Sequence, residues 1–233
     1  MDMIDGDFPV RFLKLAATER KVIFRPHWHE HLELLFVKKG RLTVRSDKNT
    51  FDAGKNDLIV FNPYDIHTGE SSSGVLLYYC LIVNYNFLAS SYPDNCQTKY
   101  IAPLQQNKIY LKNIIKEDIE VSNCFENIIR ELEEKKYAYE MAVKHHIINI
   151  ITILLRNYSQ EVSPKQGLKV RKRAADNFDK VFNFIEENYQ NKITIEQLST
   201  RANYSPYYFC RLFKDITGKM PMEYINAYRI EKA

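Results

Sequence analysis

The sequence is poor in the features that build disulfide frames and membrane spans. Its four cysteines, Cys80, Cys96, Cys124 and Cys210, show no short pairwise spacing such as C-x-x-C. That argues against a disulfide scaffold or zinc knuckle and makes a reducing compartment the default. No apolar run approaches the ~20 residues needed to cross a bilayer. The N-terminus is acidic (Asp2, Asp5, Asp7) where a signal peptide would be basic and then apolar, so the chain reads as cytoplasmic, with no membrane partner. Internal repeats and low-complexity tracts are absent as well.

What is present is an ordinary globular composition, 45% hydrophobic and 27% charged, in 233 residues. That length suits a sensor plus a small second domain. The net charge of +4 is unevenly placed: residues 169–233 hold 12 Lys+Arg against 8 Asp+Glu, and residues 1–168 hold 21 of each. A basic excess confined to one small segment points to a polyanion partner, although a lysine-rich surface accounts for it equally well.

Three patterns follow one another along the chain. From about 20 to 105, short apolar runs at 32–37, 41–46, 58–61 and 75–83 alternate with turn signals such as Lys39-Gly40, Asp47-Lys48, Gly54 and Asn62-Pro63. These predict an all-β barrel or sandwich. The stretch 84–112, with Pro93 and Pro103, reads as irregular. Near 113 the period becomes helical: Ile119, Phe125, Ile128, Ile129 and Leu132 make one stripe, and Ile147, Ile151, Leu154 and Leu155 a second, in a helix over about 137–158. Two such helices suit an antiparallel hairpin that packs on the barrel or on a second copy of the chain. The adjacent His145 and His146 read as a helix-surface feature. Residues 159–175, with Ser163-Pro164, Gly167 and the basic run Lys169 to Arg173, read as a linker.

The last segment carries consistent local signals. Phe178, Val181, Phe182, Ile185 and Tyr189 give a first helix. Thr194 with Gln197 forms a capping box for a second. Ser205-Pro206 starts a third, and Gly218 ends it. Two short helices joined by a brief turn in a basic domain describe a helix-turn-helix, though the same pattern fits a plain three-helix bundle.

At this point the residues resemble a known family. Ile195 to Ala202, then Asn203-Tyr-Ser-Pro-Tyr-Tyr-Phe-Cys-Arg-Leu-Phe-Lys214, then Gly218, Pro221, Tyr224 and Arg229 resemble the DNA-binding domain of AraC-type transcription regulators, over about 178–233. The resemblance implies double-stranded DNA as partner, with Tyr207, Cys210 and Arg211 at the base-reading positions. Arg211 can grip guanine in bidentate fashion, whereas Cys210 has little base-reading ability. Lys214 and the Ser205 helix start suit phosphate, and Lys214 reads equally well as a solvated lysine. Family members carry two helix-turn-helix units bridged by a long helix. This sequence reaches Ala233 inside that bridging helix, so the second unit is expected to be missing from it.

The N-terminal constellation is His27-Trp28-His29-Glu30-His31-Leu32-Glu33, then Gly40, Gly54, Pro63 and His67. It resembles the paired motifs of the cupin barrel, H-x-H-x-x-x-E-x6-G and a later G…P…H. The resemblance makes His27, His29, Glu33 and His67 the candidate ligands of a divalent metal and the candidate contacts of an effector. Even spacing lets the first three share one face of a sheet. Three imidazoles and a carboxylate suit a first-row ion. His31 reads as a rim residue. Two functions compete: a metal-dependent cupin enzyme of the dioxygenase or isomerase type, and a sensor pocket needing no cofactor.

Fusion to a DNA-binding segment favours the sensor. The expected molecule is an α+β, ligand-responsive transcription regulator and not an enzyme. Its expected parts are a cupin-like barrel (1–112), a helical dimerisation segment (113–158) that makes a homodimer, a linker (159–175), and a partial helix-turn-helix domain (176–233). Sugars are family effectors, and Trp28 and Tyr64 are suitable aromatic neighbours for one.

Overall fold

The computed structural model describes residues 10–19, 21–46, 49–89, 94–161 and 168–232. Asp2, Asp5, Asp7, the Asp47-Lys48 turn, Pro93 and the stretch 163–167 lie outside the described residues.

Two sheets face each other. One contains β1 (Val10–Ala17), β8 (Leu76–Val83), β3 (Leu32–Lys39), β6 (Leu58–Phe61) and β10 (Ile114–Ile115), in that order. The other contains β2 (Val22–His27), β7 (His67–Ser71), β4 (Leu42–Ser46) and β5 (Asn49–Ala53). Every pairing within them is antiparallel.

Strand β3 shows why this sequence closes into a barrel with helices outside. Six successive residues from Leu32 to Val37 are buried, because both faces of the strand are covered. Leu35 and Val37 point between the sheets with Leu42, Val44, Ile59 and Phe61. Leu34 and Phe36 point outward into a second cluster with Phe125, Ile128, Ile151 and Leu154. A continuous apolar run is the pattern expected of a strand buried on both sides.

The helices that cover this outer face are α3 (Ile119–Glu134) and α4 (Tyr139–Asn157). Asp118 caps α3, accepting from the backbone N–H of Glu120 and Val121, and also accepts from the Tyr158 hydroxyl at 2.6 Å. Phe125 stacks on Phe36 with ring centres 4.8 Å apart. The two apolar stripes are therefore satisfied by each other and by the sheet. Between barrel and hairpin, 84–112 is not wholly irregular. It contains α1 (Tyr85–Leu88), a π-helical turn (Gln97–Ile101), α2 (Ala102–Gln105) and β9 (Ile109–Leu111).

The expected linker divides differently. Ser159–Glu161 forms β11, paired with β9. The basic run belongs to α5 (Leu168–Asn188), whose helix begins well before the expected domain start at 176. Val170, Ala174 and Phe178 recur at four-residue spacing along it; Val170 stays exposed, and Leu168, Ala175 and Phe178 tie the early turns to the C-terminal core. Helices α6 (Ile195–Arg201), α7 (Pro206–Thr217) and α8 (Pro221–Lys232) complete the C-terminal unit around Phe178, Phe209 and Phe213.

Among the described residues no helix is long and apolar enough to cross a membrane.

Candidate metal centre and DNA-reading helix

The four cupin-motif residues converge: one donor atom from each of His27, His29, Glu33 and His67 lies within 4.8 Å of the others. The route to this convergence differs from the expected shared strand face. His27 is the last residue of β2, in one sheet, and Glu33 lies in β3, in the other. His29 sits in the connection between them, where the chain has left the ladder. His67 opens β7 directly opposite His27. The site is thus built at the seam where the connection between β2 and β3 carries the chain from one sheet to the other.

Each imidazole is oriented from behind. Nδ1 of His27, His29 and His67 lies 2.8, 3.1 and 2.8 Å from the backbone carbonyls of Arg25, His31 and Asp65. With Nδ1 as donor, Nε2 is free to face the centre, as second-shell carbonyls do for metal-bound histidines. The Nε2 atoms of His29 and His67 lie 2.5 and 3.5 Å from Glu33 Oε2. The buried His67 Nε2 has no partner at full hydrogen-bond geometry. Phe61 stacks on the His67 ring at 3.9 Å, fixing its plane. Cys80 donates its thiol to the other Glu33 oxygen at 3.2 Å.

The electrostatics suit a cation. Burial alone would raise the Glu33 carboxyl, but the His29 and His67 imidazoles facing it outweigh that and hold the group well below the usual carboxylate range. His27 keeps an edge in solvent, yet its ring is crowded by His67 at 4.3 Å. Desolvation first, then the His67 charge, lowers its pKa to about 4. A neutral imidazole at His27 and an ionised carboxylate at Glu33 are the forms that bind metal. The donor set fits a first-row divalent ion at ligand distances of about 2.0–2.2 Å after small movements. His31 stands beside the set, its ring 6.3 Å from His29, in keeping with a rim position.

At the other end, α6, a four-residue turn and α7 form the helix-turn-helix. Thr194 and Gln197 close the capping box on α6 from both directions. Asn203 takes the left-handed conformation in the turn and donates to Asn177 of α5. Pro206 begins α7 after Ser205, whose side chain makes no capping bond. Gly218 ends it in the left-handed region at φ 77°. An added Cβ there would come within 2.5 Å of Arg45 in β4.

Phe209, Phe213 and Ile216 are buried on the inner side of α7. Ser205, Arg211 and Lys214 are exposed, and Tyr207 is 82% exposed. Cys210 is half-buried and packs against the C-terminal core. Burial raises its thiol pKa and keeps the group a protonated thiol.

Sequence reasoning missed one group entirely. Arg171 of α5 pairs with the buried carboxylate of Asp65, in the loop before β7. Asp65 also accepts from the Tyr110 hydroxyl at 2.8 Å and from Asn113 Nδ2 at 3.2 Å. Arg171 lies over the Tyr110 ring at 4.4 Å. No local signal links residues so far apart in sequence.

A small-molecule-binding barrel joined to a helix-turn-helix with an open outer face defines a ligand-binding, DNA-binding transcription regulator. Residues 10–151 match the family described as the AraC-like ligand binding domain, and residues 185–226 match the bacterial regulatory helix-turn-helix proteins of the AraC family. The chain belongs to the AraC family of transcription regulators. Among curated relatives, it is 23% identical to the uncharacterized HTH-type transcriptional regulator YdeC of Bacillus subtilis, over 97% of this chain and 78% of that protein. It is likewise 23% identical to YbfI of the same organism, over 90% and 72%. Among solved structures, unsaturated-fatty-acid-bound ToxT from Vibrio cholerae aligns over 93% of this chain and 94% of its own, at 11% identity and a TM-score of 0.47.

Proposed function

We propose that this chain reads a specific DNA sequence with the outer face of α7 while its barrel acts as a sensor and performs no turnover. The observation that carries the reading is the division of α7 into two faces. Its inner aromatic residues are locked into the C-terminal core, and Tyr207, Arg211 and Lys214 are left open to solvent. A rigid helix with an exposed basic face is what enters a major groove.

In this reading Arg211 makes the main base contact and Tyr207 meets a thymine methyl or a phosphate. Ser205 and Lys214 hold the backbone, and Cys210 contributes packing. Arg211→Ala is expected to lower affinity for a site selected from random duplexes by about 5- to 150-fold, the equivalent of about 1–3 kcal/mol. Its affinity for unrelated duplex should change far less. Equal losses on both, measured by fluorescence anisotropy at fixed salt, would reduce Arg211 to a phosphate contact.

The four-residue cluster holds a divalent cation as an internal clip of the sensor, with His27, His29, Glu33 and His67 as ligands. The orphaned His67 Nε2 and the carbonyl-tethered rings support this. Elemental analysis of the purified chain should find about one equivalent of a first-row metal. His29→Ala should weaken cobalt(II) binding by more than the roughly 10- to 100-fold that loss of a second-shell partner costs. A wild-type chain that takes up no metal would remove the clip, and metal-dependent turnover requiring His29 would favour the enzyme alternative.

A homodimer through the hairpin rests on the face of α4 turned away from the barrel, where Met141 and Ile148 are exposed. Light scattering is expected to give twice the chain mass, and the monomer mass would exclude it.

A further inference from the structure

A sizeable cleft lies apart from the metal cluster. It has a volume of about 840 Å³, within the range of small-molecule sites, and none of His27, His29, Glu33 or His67 lines it. The space between the sheets is instead filled by side chains such as Leu35, Val44, Phe61 and Tyr78.

The cleft is bounded by all three parts of the chain. The barrel contributes Phe51 and Ile66, the end of the hairpin Asn157 and Tyr158, and the DNA-binding unit Val170, Ala174, Phe178, Leu212 and Ile216. Leu212 and Ile216 belong to α7, so one wall is the back of the DNA-reading helix. The loop 62–67 runs along another wall. Tyr64 and Ile66 line the cleft, Asp65 between them pairs with Arg171, and His67 enters the metal cluster. Tyr64 holds a left-handed backbone at φ 65°, a costly conformation for a bulky residue and one that concentrates at functional sites. Its N–H donates to the carbonyl of His29 at 2.9 Å.

We propose that this interdomain cleft is the effector site, and that its occupant is a neutral organic molecule with a flat, apolar ring body and a few hydrogen-bonding substituents. The proposal rests on the reading of the chain as an effector-responsive regulator. The ligand chemistry follows from the walls. Phe51, Ile114, Val170 and Leu212, all with surface to offer, make an apolar bed. Asn49, Asn157, Ser159 and Gln160 supply donors and acceptors along one side. The ionic groups leave no net charge for a ligand to match: Arg171 is paired with Asp65, and Lys112 and Glu161 offset each other. An occupant here touches barrel, hairpin and α7 together. Its affinity therefore differs between arrangements of the DNA-binding unit, which is what an effector requires.

The test uses the full chain and N-phenylnaphthylamine, a neutral, flat fluorophore that brightens in apolar surroundings. Saturable binding of about one probe per chain is expected. Ala174→Phe and Ser159→Phe, which plant a ring in the cleft from opposite sides, should each weaken it by about tenfold or more. Tyr137→Ala, a fully exposed position outside the cleft lining, should leave it essentially unchanged. Saturating probe should shift the affinity for selected DNA by about 5- to 150-fold. No saturable binding, binding indifferent to both cleft substitutions, or an equal loss in Tyr137→Ala would overturn the cleft as ligand site. Binding in the cleft with no effect on DNA affinity would overturn its role as effector site. DNA binding by the probe-free wild type is measured separately: its absence refutes the regulator reading, and the probe titrations still judge the cleft.

Discussion

Asp65→Ala is expected to cost about 3–5 kcal/mol, the usual penalty for removing one partner of a buried ion pair. Asp65 is 1% exposed. Its loss takes the paired carboxylate from the Arg171 charge and removes an acceptor shared by Tyr110, Asn113, and the backbone N–H and side-chain amide of Asn62. For a chain of this length each kcal/mol corresponds to about 2–4 °C, so the melting temperature should fall by roughly 6–20 °C. Arg171→Met should be milder, because Asp65 keeps its neutral donors and the methionine stem can still cover the Tyr110 ring. The double variant should recover part of the Asp65→Ala loss, since it removes the guanidinium together with its carboxylate. Chemical denaturation of the four proteins closes the cycle. A loss of less than about 1 kcal/mol for Asp65→Ala would class the pair with exposed ion pairs, which contribute little.

The contrast between this pair and the helix caps shows which parts of the molecule could be read from sequence. Thr194 with Gln197, Pro206 and Gly218 act on backbone within a turn of themselves, so their spacing alone identified α6 and α7. The metal cluster was legible as a set of residue types, because few functions place three histidines and a glutamate at those positions. Its geometry was not: even spacing suggested a shared strand face, whereas the connection through His29, which carries the chain from one sheet to the other, brings the residues together. Asp65 and Arg171 gave no signal, since their partnership depends on how two domains dock. The basic run around Arg171 looked like linker because its charges masked the Val170, Ala174, Phe178 repeat. Strand β11 is fully exposed and carries no apolar residue, so only its pairing with β9 defines it.

Phe178→Ala should separate the two halves of the molecule. Phe178 is fully buried at the centre of the C-terminal core, with ring centres of Phe182, Tyr204, Phe209 and Phe213 all within 6.4 Å. Truncating such a phenylalanine costs about 3–5 kcal/mol, part from lost transfer energy and part from the cavity left behind. A small four-helix core has little stability to spare. The C-terminal unit should therefore melt at a temperature where the barrel, held by its own two clusters, remains folded. Specific DNA binding should disappear while cobalt(II) binding at the four-residue cluster persists, and far-ultraviolet circular dichroism should show two transitions in place of a single cooperative one. Phe178→Leu, which keeps most of the volume, should retain DNA binding with a loss of about 1.5 kcal/mol or less. If Phe178→Ala abolished metal binding as well, the barrel and the DNA-binding unit would fold as one body. The Asp65–Arg171 contact would then be part of a common core instead of a joint between two.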